Sequence, residues 1–206
     1  MAKARRAKRR TYHHGDLERA LVDAGIALIG QKGATSFTMR EVATRVGVSH
    51  AAAYRHFADK KALLDAIAAQ GYSDLGQRLR AAIVRVPRAK TERRLTCLGA
   101  AYVSFAIENE PRFAVMTRPR SEENASPELD AAIDAALGVV VAVAREGVER
   151  GELTAGPPMD HAMRAYVFAF GYASLVLRGR VRVRPERLEA YFAALFAPVV
   201  TAMRGG

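Results

Sequence analysis

The stretch Thr38–Lys61 constrains this chain more than any other. It reads TMREVATRVGVSHAAAYRHFADKK, two short helical patterns separated by a turn. Thr38 is an N-cap residue type, and the apolar spacing that follows predicts a helix over 39–46. Gly47 breaks that pattern, and glycine suits a turn that needs positive φ. Ser49, a second N-cap type, opens another helix that ends near Phe57. Ala43 is small and faces the second helix, so the two can approach closely, with Val42, Val46, Val48 and Phe57 supplying apolar contacts behind them. Two short helices joined in this way make a helix-turn-helix, whose second helix is exposed for the major groove of DNA.

The residue types on the second helix agree with that reading. Ser49, His50, Ala51, Ala52, Tyr54, Arg55 and His56 give it a polar, small-residue outer face. Ala51 and Ala52 let a helix sit deep, and a methyl can touch the thymine C5-methyl, while Ser49 and His50 reach base edges or phosphates. Tyr54, His56 and Lys60 are the types that contact phosphates and fix register without reading sequence. Thr38 adds a hydroxyl beside a helix N-terminus, whose N–H groups also suit a phosphate.

Charge points the same way. The chain of 206 residues carries 32 Lys and Arg against 21 Asp and Glu, a formal net charge of +11. Residues 1–60 hold 12 basic and 5 acidic side chains, so the excess concentrates around the motif. Residues 1–10, MAKARRAKRR, form a basic arm with six cations and no acid. Such an arm is either a solvated tail or a strand that tracks phosphates or a minor groove.

The rest of the chain reads as helix, with few alternating or β-branched runs, so the expected class is all-α. A first helix carries Leu17, Leu21, Ala24 and Leu28 on one stripe and stops at Gly33. Asp59 caps a long fourth helix with a stripe from Leu63 to Ile83, closed by Pro87. A fifth follows Thr91 and stops before Pro111, and a looser stretch is expected over 112–125. Ser126-Pro127-Glu128 is a strong helix start, and that helix runs to about Arg150. Two more are expected over about 159–178 and 185–203, with a kink or early end at Pro198. The expected domains are an arm at 1–10, a three-helix DNA-binding domain at 11–58 and a helical domain at 59–206.

Residues 12–67 resemble the DNA-binding domain of TetR-family regulators, through Tyr12–Leu17 (YHHGDL), Lys32-Gly33 and the run REVATRVGVS…YRHF…K…L. The resemblance implies an all-α homodimer with a divergent C-terminal domain for ligand binding and dimerisation. It implies phosphate contacts at Thr38, Tyr54, His56 and Lys60, and base-facing positions at Ser49, His50, Ala51 and Ala52. The family's weight favours a repressor over an activator. Tyr102–Met116 is similar, less closely, to regulators with a so-called WHG domain. Their Trp-His-Gly tripeptide corresponds here to Phe170-Gly171, in a chain without Trp.

The C-terminal half is larger than a dimerisation platform requires. Tyr102, Phe105, Met116, Phe168 and Tyr172 stand at spacings that could converge on one cavity for a small, mostly apolar effector, and equally suit a plain core. The last two helices carry Met163, Val167, Phe170, Ser174 and Leu177, then Leu188, Phe192, Leu195 and Val199, which suits a two-fold four-helix interface between protomers. That dimer calls for a palindromic operator in double-stranded DNA. No nucleophile elbow, phosphate loop or convincing acid–base pair supports an enzyme. His13, His14 and Asp16 lack a fourth ligand, so neither metal nor cofactor is expected. A sequence-indifferent architectural DNA binder would leave the large apolar-patterned C-terminal half unexplained. Cys97 is the single cysteine, and no apolar run reaches the roughly 18–20 residues of a membrane span, so the expected location is the cytoplasm.

Overall fold

The computed structural model describes residues 14–119 and 126–205. The basic arm, Tyr12 and His13 lie outside them. Among the described residues there are nine α-helices and no strand: α1 (His14–Lys32), α2 (Met39–Val46), α3 (His50–His56), α4 (Lys60–Ile83), α5 (Thr91–Glu108), α6 (Glu110–Met116), α7 (Pro127–Glu149), α8 (Pro158–Leu177) and α9 (Leu188–Met203). The chain divides into two compact units, Met1–Leu64 and Asp65–Gly206. That division falls inside α4, whose first turn, with the fully buried Leu63, belongs to the first unit.

In the first unit, α1 buries Leu21, Ala24 and Leu28 along the expected stripe, with Val22 and Ile29 beside them. Gly33 ends the helix at φ +82°, its N–H donating to the Ile29 carbonyl at 2.7 Å. Phe37, Met39, Val42, Ala43, Ala53, Phe57 and Leu63 are buried with the residues of α1. Apolar residues three or four apart give each short helix one buried face, and tertiary burial stabilises helices too short to persist alone.

In the second unit, α5 packs against α7, α8 and α9. It buries residues around most of its circumference, among them Leu95, Leu98, Val103 and Phe105. At Gly99 an added Cβ would lie 2.3 Å from Phe192 Cζ, so the absent side chain is what lets α9 close on α5. The start of α7 is as read: the Ser126 hydroxyl accepts from Leu129 N–H at 3.3 Å, Pro127 stands in the first turn, and Glu128 and Asp130 follow. A half-buried ion pair, Arg94 to Glu146 at 2.7 Å, ties α5 to α7.

Three expectations change. Residues 110–116 form α6 where a looser stretch was expected over 112–125. Pro111 stands in the first turn, where its missing N–H is not needed, and Phe113, Val115 and Met116 are buried. Pro185–Arg187 is a 3-10 turn, so the last α-helix starts at Leu188. That helix then runs through Pro198 to Met203. Pro198 is exposed, while Phe196, Val200 and Met203 are fully buried on the opposite face and anchor the helix on both sides of it.

Candidate nucleic-acid interface

The geometry of α2 and α3 is set by three local devices. Thr38 and Glu41 form a reciprocal capping box: Thr38 Oγ1 accepts from Glu41 N–H at 3.3 Å, and Glu41 Oε2 accepts from Thr38 N–H at 2.8 Å. Gly47 adopts φ 80° and ψ 30°, and its N–H reaches the Ala43 and Thr44 carbonyls. Nothing lies within 4 Å of a Cβ built there, so the turn selects glycine for its backbone conformation alone. Ser49 Oγ then accepts from Ala52 N–H at 3.2 Å and starts α3.

The turn leaves one face of α3 bare. Ser49, His50, Ala51, Tyr54 and Arg55 are exposed, Ala52 and His56 are half-buried, and Ala53 and Phe57 are buried. The His50 ring meets Tyr54 edge-on at 4.8 Å, so two of the expected contact residues brace each other. Thr38 is exposed at the head of α2. Lys60 Nζ donates to the Thr35 carbonyl at 2.9 Å and sits 4.3 Å from the centre of the Phe37 ring. Burial lowers its pKa, and the Glu41 carboxylate opposes that shift. Arg40 and Arg45 on α2 are also exposed. They were not among the expected contacts, although two arginines five residues apart on a capped helix were visible in the sequence. The Lys32 ammonium, 2.5 Å from Glu41 Oε1, is the largest of the influences that hold the Glu41 carboxyl down at about 2.

The second unit contains a cavity of about 250 Å³. Tyr102, one of the five expected ligand residues, lines it; Phe105, Met116, Phe168 and Tyr172 do not. Phe105 and Met116 are buried. Phe168 packs on Phe192 and Phe196, with ring centres 5.6 and 5.2 Å away. Tyr172 packs on Phe192 and Tyr191, and its hydroxyl is buried without a partner. The other walls come from Tyr72, Leu75 and Leu79 of α4, Ile133 and Leu137 of α7 and Tyr166 of α8. On α8 the cavity is lined by Met163, Ala165, Tyr166 and Ala169, while the rings of Phe168 and Tyr172 are taken up by packing on α9. Among the described residues, no group of three or more His, Cys, Asp or Glu is placed to hold a metal ion, and no helix is long and apolar enough to cross a membrane.

Two family models match the chain. Residues 21–67 match the bacterial regulatory proteins of the tetR family. Residues 95–199, just over half of the chain, match the tetracyclin repressor-like C-terminal domain. The chain belongs to the TetR family. The HTH-type transcriptional regulator BetI of Brucella anthropi is 42% identical over 67 residues, 32% of this chain and 34% of that protein. The match thus spans about a third of that relative's length. Among solved structures, a protein of unknown function from Rhodococcus sp. RHA1 superposes with a TM-score of 0.79 at 28% identity, over 95% of this chain and 99% of that one. The TetR family transcriptional regulator PfmR of Thermus thermophilus has a TM-score of 0.64 at 24% identity, over 92% and 97%, a likeness of fold. As a TetR-family protein the chain is a DNA-binding transcriptional regulator, and α2, the Gly47 turn and α3 lie within the region that matches the family's DNA-binding model.

Proposed function

We propose that this regulator is a repressor that binds a palindromic operator as a homodimer and is released by a small, mostly apolar molecule. The observation that carries the DNA half of the reading is the bare face of α3, polar and small, held on a capped α2. Ser49, His50 and Ala51 read base edges, with Ala52 behind them. Thr38, Tyr54, Arg55, His56 and Lys60 engage phosphates, and the exposed Arg40 and Arg45 add two cations to the same unit. The dimer is supported by apolar side chains left exposed on the last two helices: Met163, Val167 and Leu175 on α8, Tyr191 and Leu195 on α9. Phe192, expected on that face, is instead fully buried within the subunit. The cavity supplies a place for the effector, and its apolar walls match the expected ligand class.

The assigned DNA contacts separate into two behaviours. His50→Ala should relax preference at one or two operator positions, at about 1–3 kcal/mol per lost contact. Tyr54→Phe keeps the ring that braces His50 and removes only the hydroxyl, so operator and random duplex should weaken by similar factors. Lys60→Ala should lower the salt dependence of binding by about one ion equivalent. Binding selections and titrations on the three variants make the comparison. An unchanged preference in His50→Ala, or an altered one in Tyr54→Phe, overturns the corresponding role.

A further inference from the structure

The cavity walls carry more chemical information than their apolar character. None of the side chains that line it is Asp, Glu, Lys, Arg or His. Its side-chain hydroxyls are three phenols: Tyr72 from α4, Tyr102 from α5 and Tyr166 from α8. Tyr72 donates its hydrogen to the Met116 carbonyl at 3.0 Å. Tyr102 and Tyr166 meet edge-on, ring centres 5.9 Å apart. A hydrogen bond between the Tyr102 and Tyr166 hydroxyls uses one of their two hydrogens, which makes the second the one a ligand acceptor would take. The convergence of the three is also felt at Tyr102, whose titration is pushed far upward first by burial and then by the Tyr166 and Tyr72 phenols. A donor therefore faces a chamber that has no cation to receive an anion.

Size narrows the ligand further. A dry cavity of about 150 Å³ accommodates benzene, and the roughly 250 Å³ here, with the exposed Met163 in its wall, has room for a fused two-ring skeleton or its aliphatic equivalent. Taking this cavity as the effector site of the proposed regulator, we infer that it selects an uncharged molecule of two-ring size with one hydrogen-bond acceptor, such as a ketone or ester oxygen, placed against the Tyr102–Tyr166 pair. A carboxylate of the same shape is rejected, because it would lose its water and gain no counter-charge.

Three probes on one skeleton test this: naphthalene, 2-acetylnaphthalene and 2-naphthoate, titrated calorimetrically into the whole protein at neutral pH. The ketone should bind tightest, and the carboxylate at least about tenfold more weakly, since an unpaired buried charge is disfavoured. In the double variant Tyr102→Phe/Tyr166→Phe, ketone affinity should fall by about three- to tenfold, the size of one net hydrogen bond, while naphthalene stays within about twofold. Ala169→Leu, which fills the chamber from α8, should abolish binding of all three. Naphthoate binding as tightly as the ketone overturns the ligand class and leaves the effector site standing. Ketone affinity indifferent to loss of both phenols overturns the Tyr102–Tyr166 assignment. Failure of all three probes, or binding that survives Ala169→Leu, removes the effector-site reading itself.

Discussion

At the scale of single residues, the reading head is held together by the box between Thr38 and Glu41. Sequence alone marks Thr38 as a cap, whereas Glu41, three residues on, was not expected as its partner although the spacing is that of a capping box. The second partner of Glu41 was not legible there, because Lys32 lies on the far side of the turn that separates α1 from α2, and no helical period links them. The box gives the unit a pH signature. The Glu41 carboxyl sits at about 2 against an ordinary 4.5, so its folded-state pKa is depressed. Its contribution to stability is therefore complete above pH 4.5 and is lost as pH falls from there towards 2. Denaturant titrations across that window should show stability falling with acid, and the fall should be shallower in Glu41→Gln. Equal slopes in the two proteins would mean the carboxylate is not held as described. Thr38→Ala removes the other half of the box and should destabilise the first unit by about 1 kcal/mol.

At the scale of helices, the caps, the Gly47 turn and the α7 start were legible because each rests on a few adjacent residues with strong local preferences. The assignment of faces on α8 was not. That helix is apolar nearly all round, so periodicity could not decide whether Tyr166 or Phe168 lines the cavity. Packing decides it: Phe168 is occupied by Phe192 and Phe196, which leaves the Ala165–Ala169 face open. The same packing makes Gly99 a point of close approach between α5 and α9. Gly99→Ala forces a Cβ to 2.3 Å from a fully buried Phe192 ring and should destabilise the second unit by about 1–3 kcal/mol, seen as a lower thermal midpoint. A midpoint equal to the parent's would show that α9 does not close on α5 in this way. Burial also changes which residue tests the dimer. Phe192→Glu would put a charge in the core of one subunit, whereas Leu195 is 43% exposed on α9. Leu195→Glu should yield a folded monomer with poor operator affinity, checked by sedimentation and circular dichroism together. A folded Leu195→Glu protein that still sediments as a dimer contradicts the α8–α9 interface.

At the scale of the whole molecule, the uneven charge along the chain anticipated its division of labour. The basic excess falls in the first 60 residues, which carry the helix-turn-helix, and the nearly balanced remainder forms the second unit with its apolar cavity. Sequence placed the first unit in register because the motif is short and local. It could not place the cavity, which is assembled from α4, α5, α7 and α8, residues as far apart as Tyr72 and Ala169. On the proposed reading, an effector bound there would act only through different affinities for the DNA-competent and DNA-incompetent states, and operator would then alter effector affinity by the same factor. All of this stands on the bare face of α3 reading a particular sequence. The measurement that tests it is a selection from a random duplex library with the full chain, followed by titration of the enriched site and of random DNA at physiological salt. The expected result is a palindrome with half-sites about one helical turn or a multiple apart, bound about a thousandfold or more tighter than random DNA. A ratio below roughly tenfold, with no enriched motif, would contradict sequence-specific recognition by α3.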